Sequence, residues 1–251
     1  MKILVVTSEV TFVPDNYNQF LEAILSGLSS ENDLFVEFVI LKNNSLSLMA
    51  KGLFLMLSGA KHIGFHLIKN SLKARFNDRK HLSAPIHFFD SPNSPEFLKF
   101  VSDNQTDLLI NARTRYIYKN AILTAPKLGA INIHHGLLPG YRGVMCDLWA
   151  LYDSRPTGFS IHVMNKKIDS GDIIRRVRTT SPEDQNKRLN FAKLIYESSK
   201  YEGLEISNLI KTIKKTGTIP IEQKNITSNP IYTKNPDFKT IRKMRKQGIE
   251  L

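Results

Sequence analysis

The chain has 251 residues, enough for one large domain or for one domain with a small appendage. Its hydrophobic content of 41% is ordinary for a globular protein, and Met1-Lys2 leads directly into a strand-like run instead of a secretory signal. The single cysteine, Cys146, excludes a disulfide framework and a cysteine-based zinc site. We therefore expect a cytoplasmic protein without a transmembrane segment.

The formal net charge is +12, from 35 Lys and Arg against 23 Asp and Glu. Basic residues gather in two segments, 61–80 and 239–246. Neither segment alternates with aromatic residues in the pattern of an RNA-binding surface. A basic surface also suits anionic small molecules such as sugar nucleotides and folate polyglutamates. Charge alone does not decide the partner, but this pattern argues against nucleic acid.

The first elements predict a parallel sheet. Residues 2–7 form a strand pattern, residues 16–29 carry apolar side chains at helical spacing, and residues 34–41 form a second strand pattern. This order is a βαβ unit, and its crossover is expected to be right-handed. No Gly-x-Gly-x-x-Gly follows the first strand, which argues against a standard dinucleotide site. We predict an α/β fold with a Rossmann-like, doubly wound, mostly parallel sheet and a small C-terminal appendage.

Residues 46–80 leave two interpretations open. The stretch is apolar up to about residue 57 and basic after Lys61, and Lys51 with the Gly and Ser residues leaves too short an apolar run for a membrane span. It is either a long helical connection that packs on the sheet or a basic amphipathic helix that touches a membrane surface. Packing is favoured, because apolar residues at helical spacing in a chain of this length usually face a core.

Next comes a strand–helix–strand pattern. The predicted elements are a strand at 85–89, a helix at 94–102 capped by Asn93 or Ser94, a buried strand at 107–111 and a short helix at 119–123. The loop between the last two elements leaves the carboxyl end of a strand. In open α/β sheets this edge is where ligands usually bind.

The most informative stretch is residues 129–143. Ile131 and Ile133 point to one side of the predicted strand and Asn132 and His134 to the other, before a turn rich in Gly and Pro. By itself, an Asn-x-His pair is more often a hydrogen-bonded structural pair than a catalytic one. A second strand predicted at 157–164 favours the catalytic interpretation, because Asp169 follows this strand on a tight turn. Asp169 is expected to lie against His134, orient its ring and raise its pKa.

The remaining elements are mostly helical. The pattern predicts a helix at 145–151 with Trp149 packed on a neighbouring loop, a strand at 175–179, and a helical stretch at 182–215 that begins near 181–184 and breaks near Gly203. Residues 216–251 form the appendage, with a strand-like run at 219–221, a turn at Pro230 and a basic helix at 238–246. The predicted division is residues 1–180 and residues 181–251.

Four motifs in order carry a resemblance. Asn-x-His, Leu-Leu-Pro-x-x-Arg-Gly, Thr-Gly-x-x-x-His and Asp-Ser-Gly-Asp-Ile resemble the 10-formyltetrahydrofolate-dependent formyltransferases, densely over residues 107–178 and loosely over residues 1–41. The resemblance makes residues 1–180 the formyltransferase catalytic domain. The family usually has Ser where this chain has Gly136, a departure that leaves the acid and base residues untouched.

The resemblance implies a role for each matching residue. Asn132 and His134 would donate hydrogen bonds to the developing oxyanion, His134 would also relay a proton, and Asp169 would support His134. The loop at Arg115, Tyr116 and Ile117 matches the segment that lines the folate cleft. Leu138 and Asp169 complete the expected folate-binding set.

Three other side chains near these motifs have more than one interpretation. His135 is expected to point toward solvent or the core, so a metal site that combines it with His134 and Asp169 is not expected. His162 is either structural or a support for the site. Arg142 either meets an anionic group of the substrate or pins its own loop.

The resemblance favours a nucleotide-linked amino sugar as acceptor, with 10-formyltetrahydrofolate as co-substrate. Only about 36 residues follow the long helix, fewer than the tRNA-binding domain of methionyl-tRNA formyltransferases, and residues 7–14 lack the glycines of a glycinamide ribonucleotide enzyme. The alternatives are transfer to one of those two amines, hydrolysis of formyltetrahydrofolate, and a non-catalytic basic module for RNA or membranes. Whether the chain forms a homodimer is left open.

Overall fold

A computed structural model describes residues 1–76, 82–180 and 189–251 of the chain. The strands in these ranges are β1 (Lys2–Ser8), β2 (Phe35–Leu41), β3 (Ile86–Phe89), β4 (Leu108–Ala112), β5 (Ala130–His135), β6 (Tyr141–Gly143), β7 (Gly158–Val163), β8 (Ile173–Arg178), β9 (Leu189–Asn190), β10 (Ile231–Thr233) and β11 (Ile249–Glu250). The helices are α1 (Asn18–Leu28), α2 (Leu46–Ser58), α3 (Lys61–Arg75), α4 (Pro95–Asp103), α5 (Asn120–Thr124), α6 (Cys146–Tyr152), α7 (Phe191–Thr216) and α8 (Phe238–Lys246), and a 3-10 turn at Pro14–Tyr17 precedes α1.

Seven strands form the central sheet, in the order β3-β2-β1-β4-β5-β7-β8. The first five run parallel, and β7 and β8 are antiparallel to their neighbours. The predicted α/β fold with a mostly parallel sheet is therefore confirmed. Because β1, β4 and β5 are parallel neighbours, their carboxyl ends at Ser8, Ala112 and His135 lie on one edge of the sheet.

Helices cover both faces of the sheet. On one face Phe20 and Ile24 of α1 join the larger hydrophobic core with residues of α7 and α8. On the other face Phe97 and Val101 of α4 pack with residues of α5. Full burial of side chains of this size contributes about 1.5–3 kcal/mol each. The helical spacing of apolar residues in α1 and α4, and the cap of α4 by the Ser94 hydroxyl, are confirmed.

The predicted break near Gly203 is wrong. Helix α7 is continuous from Phe191 to Thr216, and its predicted beginning at 181–184 lies outside the described residues. A Cβ atom at position 203 would lie 2.6 Å from the Cβ atom of Ala23 and 2.6 Å from the carbonyl oxygen of Phe20. The glycine therefore lets α7 approach α1 closely, and tertiary contact outweighs its poor helix propensity.

The predicted helical connection after β2 consists of two helices, α2 and α3, that pack side by side. They approach closely where Gly52 faces Gly64, since a Cβ atom at position 64 would lie 2.4 Å from the carbonyl oxygen of Gly52. Ile63 and Leu67 of α3 are buried, and Ile63 belongs to the larger core. The packing interpretation is thus correct for the inner side of α3, while much of α2 faces outward.

The strand predicted at 219–221 is wrong. The chain there makes only an isolated bridge, between Gln223 and Ile173, and Pro220 has no N–H to donate to a strand ladder. The paired strand of this region is β10, which is parallel to β6, and the basic helix predicted at 238–246 is confirmed as α8. The division of the chain at residue 180 stays a prediction. Among the described helices, none is long and apolar enough to cross a bilayer.

Candidate active site

Asn132 is held between two neighbouring strands. Its side-chain oxygen accepts a hydrogen bond from the Asn111 amide of β4 at 2.8 Å. Its amide nitrogen lies 3.1 Å from Nε2 of His162 on β7. Nδ1 of His162 lies 2.8 Å from the carbonyl oxygen of Val163 and donates to it, which fixes the orientation of the ring. These contacts fix the orientation of the Asn132 amide and give His162 a supporting position.

Asp169 brings the second segment to the first. It lies on the turn between β7 and β8 with φ of 48°, a left-handed conformation that is uncommon for a residue other than glycine. One carboxylate oxygen lies 3.4 Å from Nδ1 of His134 and accepts from the Gly143 amide at 2.8 Å, and the other lies 3.5 Å from Nε2 of His162. Asn132, His134 and Asp169 thus meet at the edge of the sheet, linked through His162.

The charges at this edge are strongly coupled. Burial raises the pKa of Asp169, but the neighbouring His134 and His162 rings and the Gly143 amide outweigh it and bring this pKa down to about 2. For His134 burial has the larger effect, because it lowers the pKa of the ring by more than Asp169 raises it. Asp169 raises the pKa of His134 as expected, but the larger effect of burial makes the net shift downward. A neutral His134 can accept a proton, with Asp169 ready to stabilise the imidazolium.

Gly136 leaves room for the His134 ring. A Cβ atom at position 136 would lie 2.8 Å from Nε2 of His134 and 2.7 Å from the Cβ atom of Cys146. Nε2 of His134 also lies 3.0 Å from the carbonyl oxygen of Tyr141. The glycine that departs from the family pattern therefore fits the local packing, because any larger residue would push the imidazole or α6.

The predicted folate-binding residues occupy different environments. Arg115, Tyr116 and Ile117 lie on the loop after β4, at the same edge of the sheet as His134, and Ile117 is 66% exposed. The Tyr116 hydroxyl donates to the carbonyl oxygen of Asp90 at 3.0 Å, which ties the loop to the end of β3. Leu138 is buried, with its amide bonded to the Ser160 hydroxyl. Their role in folate binding stays a prediction.

A second polar cluster lies on the other side of β5, and the sequence interpretation missed it. His135 lies with Nδ1 3.1 Å from Asp147 and Nε2 3.2 Å from Glu202. Arg113 pairs with Glu202 at 3.2 Å and lies 4.2 Å from the centre of the Tyr17 ring, and the Tyr17 hydroxyl donates to Glu202. Strand alternation correctly predicts that His135 faces away from His134.

These buried charges neutralise one another. Burial raises the pKa of Glu202, but His135 and Arg113 outweigh it and lower this pKa to about 2. Burial and Arg113 lower the pKa of His135, yet Glu202 and Asp147 together raise it above its ordinary value. The sequence contains one signal of this cluster, which is Glu202, an acidic residue on the apolar face of α7 between Ile195 and Ile206.

An open cleft of about 620 Å³ lies beside Ser170, the residue that follows Asp169 in the chain. It is lined by Arg142, Asn165, Lys166, Lys167, Ser170, Asn225, Ile226 and Thr227. The Arg142 guanidinium donates to the backbone and side-chain oxygens of Asn225 at 3.2 and 3.0 Å, so it joins its loop to the C-terminal appendage. Of its two predicted roles, the contacts show the one that pins the loop. The appendage thus contributes to the wall of the cleft.

Comparison with known proteins identifies the family. A family model described as "Formyl transferase" matches residues 18–199. The chain belongs to the formyl transferase family. The predicted family is confirmed.

Individual relatives are similar over part of the chain or in fold. A methionyl-tRNA formyltransferase from Caldanaerobacter subterraneus is 32% identical over 146 residues, 57% of this chain and 46% of that protein. The chain spans less than half the length of the first curated relatives it matches. A sugar N-formyltransferase from a Shewanella species has a TM-score of 0.60 at 15% identity, over 93% of this chain and 76% of that one.

A third protein of similar fold was solved with bound ligands. An N-formyltransferase from Helicobacter canadensis, solved with folinic acid and dTDP-3-aminofucose, has a TM-score of 0.56 at 16% identity, over 99% of this chain and 80% of that one. At these identities the two structural likenesses establish the fold alone. This fold is consistent with the family that the family model identifies. The relatives differ in the amine named in their descriptions, which is methionyl-tRNA for one and a sugar for another.

Proposed function

We propose that this protein transfers the formyl group of 10-formyltetrahydrofolate to the primary amine of a nucleotide-linked amino sugar. The observation that carries the proposal is the meeting of Asn132, His134 and Asp169 at the carboxyl edge of the sheet, from two separate segments. Their chemistry suits an acyl transfer, which needs a hydrogen-bond donor for an oxyanion and a group that moves a proton.

Each side chain has one task in the transfer. When bound, the donor supplies a formyl carbon whose bond to the folate nitrogen breaks as its bond to the acceptor nitrogen forms. Asn132 donates its amide N–H to the oxygen on which negative charge develops, and such a donor is worth about 3–4 kcal/mol of barrier. His134 accepts the proton that the attacking amine loses and returns it to the departing folate nitrogen. Asp169 stabilises the imidazolium between these two steps.

The basic cleft supports an anionic acceptor. Lys166 and Lys167 line it beside Ser170, the neighbour of Asp169, so an acceptor phosphate bound there would bring its sugar toward the reacting groups. The Helicobacter canadensis protein of similar fold was solved with a nucleotide-linked amino sugar, which favours the same substrate class. The sequence relative named for methionyl-tRNA gives the competing acceptor, and the net charge of +12 suits either anion.

The test offers the protein several amines. It is incubated with 10-formyltetrahydrofolate and, separately, a panel of nucleotide-linked amino sugars, methionyl-tRNA and glycinamide ribonucleotide, and each acceptor is examined by mass spectrometry. We expect a formamide on an amino sugar, and loss of that product in Asn132→Ala. Formylation of methionyl-tRNA alone would reject the sugar acceptor, and release of formate without any formylated amine would identify a hydrolase.

A further inference from the structure

The helix pair α2–α3 exposes an unusual amount of apolar surface. Leu57, Phe76 and Phe54 are 80%, 75% and 64% exposed. We call the set the hairpin surface, which consists of Leu46, Leu53, Phe54, Leu57, Phe65, Leu72 and Phe76. Single exposed apolar side chains are common on proteins, but a concentration of them on two helices that pack together is typical of an interaction site.

The hairpin surface lies on the outward side of helices that are already anchored. Leu46, Leu53 and Leu57 recur at spacings of seven and four residues, which places them on one face of α2. The opposite side of the pair is fixed to the body, since the Asn70 amide donates to the carbonyl oxygens of Thr11 and Val13 at 2.9 and 2.8 Å. The outward side chains are therefore not needed to pack the hairpin on the fold.

The charge carried by the two helices has one sign. The sequence holds no Asp or Glu between Glu37 and Asp78, while α2 carries Lys51 and α3 carries Lys61, Lys69, Lys73 and Arg75. On α3 the charged and apolar groups share a face, because the Lys69 ammonium lies 5.9 Å from the centre of the Phe65 ring. Long basic side chains beside exposed Leu and Phe are the pattern of a helix that lies in a membrane interface.

We infer that the hairpin surface binds the protein to an anionic lipid surface, with its Leu and Phe side chains among the acyl chains and its Lys and Arg side chains at the phosphates. Two copies meeting through this surface would oppose like charges, which argues against a symmetric dimer there. Because neither helix is long and apolar enough to span a bilayer, the attachment is peripheral. Lipid binding by the hairpin surface does not depend on the transfer reaction proposed above.

The experiment measures co-sedimentation of the full chain with vesicles of phosphatidylcholine alone and with about one third phosphatidylglycerol. One variant, Leu53→Ser/Phe54→Ser/Leu57→Ser, removes apolar groups without changing charge. A second, Lys51→Gln/Lys61→Gln/Lys69→Gln, removes three charges. The matched control, Lys99→Gln/Lys119→Gln/Lys127→Gln, removes three charges from exposed lysines in and next to α4 and α5 on the opposite face of the sheet.

We expect the wild type and the control to bind anionic vesicles at least about tenfold more strongly than neutral ones, and both hairpin variants to lose about tenfold in partition. If the triple Ser variant unfolds at a lower temperature, Leu57→Ser alone gives the same comparison at the most exposed position. Equal binding to both vesicles, or hairpin variants that bind like the control, would overturn the proposal. A dimer that the Ser variant dissociates, without vesicle binding by the wild type, would assign the surface to self-association instead.

Discussion

His134 and His135 are neighbours on one strand, and their environments have opposite effects on their charge. His134 faces Asp169 and a second imidazole in a site whose burial lowers its pKa. Burial and the nearby Arg113 lower the pKa of His135, but the two carboxylates that it faces, Asp147 and Glu202, raise it above its ordinary value. Strand geometry alone separates them, because successive side chains point to opposite sides.

Under the proposed mechanism, this difference in pKa separates a histidine that moves a proton from one that supports the fold. A histidine with one carboxylate partner and a lowered pKa can take up a proton and give it back near neutral pH. A histidine held between two carboxylates, beside an arginine, has a raised pKa and contributes to a closed network. The two sides of β5 therefore predict different consequences of mutation: loss of turnover on the His134 side and loss of stability on the His135 side.

The largest effect is expected from Asp169→Asn, which removes the charge that stabilises the imidazolium of His134. Turnover should fall about 100- to 1000-fold, the scale of one lost electrostatic contact in a transition state. Steady-state rates measured with the accepted amine, alongside thermal unfolding, check this. Asp172→Asn is the control, because that partly exposed carboxylate pairs with the exposed Lys224 instead of a histidine. Equal rates for the two variants would remove Asp169 from the mechanism.

On the other side of β5, Glu202→Gln should destabilise the protein by about 3–5 kcal/mol, because it leaves buried Arg113 and His135 without their shared carboxylate. Glu205→Gln on the same helix breaks only the exposed pair with Arg175 and should cost less than about 1 kcal/mol. Denaturant unfolding measures both. A Glu202 variant as stable as the Glu205 variant would show that the cluster does not hold α7 to the sheet.

A smaller effect is expected from Gly136→Ala. The added methyl group would lie 2.8 Å from Nε2 of His134, so the ring must shift and turnover should fall about tenfold. Gly140→Ala on the same loop is the control, because the added methyl group would lie at an ordinary 3.5 Å from its nearest neighbour, the carbonyl oxygen of Leu137. Comparison of kcat in the two variants checks this, and a reduced rate in Gly140→Ala alone would point to the loop backbone instead of the ring.

The pH dependence of kcat/KM should also distinguish the two histidines. Because the pKa of His134 is lowered, the acid limb of the profile should lie below the ordinary histidine value of 6.5. Asp169→Asn removes a group that raises this pKa, so the residual activity should show an acid limb at still lower pH. A profile that follows a pKa above 6.5 would assign the titration to a group like His135.

The smallest expected effect is the pH dependence of stability from the buried cluster. The folded pKa of Glu202, about 2, lies below its ordinary 4.5, so its contribution is complete above pH 4.5 and is lost as pH falls toward 2. The folded pKa of His135 is raised, so its contribution is complete below its ordinary 6.5 and is lost as pH rises through the raised value. Together these two contributions give a maximum in the stability of the protein between about pH 4.5 and 6.5, and Glu202→Gln should flatten it. Thermal unfolding across pH checks this, and an unchanged profile would contradict it.

The sequence predicted the sheet, and the meeting of Asn132, His134 and Asp169, because the signals for both are local. Alternation put Asn132 and His134 on one side of β5, and the turn motif supplied Asp169. The sign of the His134 pKa shift needed the burial that only packing creates. The His135 cluster joins five segments, because Tyr17, Arg113, Asp147 and Glu202 all come from other parts of the chain, so no local pattern shows it. The continuity of α7 through Gly203 likewise depends on contact with α1.

The most direct measurement compares His134→Asn with His135→Asn in the formation of formylated acceptor, followed by mass spectrometry below the unfolding temperature of both variants. We predict that His134→Asn loses at least about 100-fold in turnover while unfolding near the wild-type temperature. His135→Asn should unfold at a lower temperature but keep most of its turnover per folded molecule. Normal turnover in His134→Asn, or loss of turnover confined to His135→Asn, would contradict the assignment of the active site.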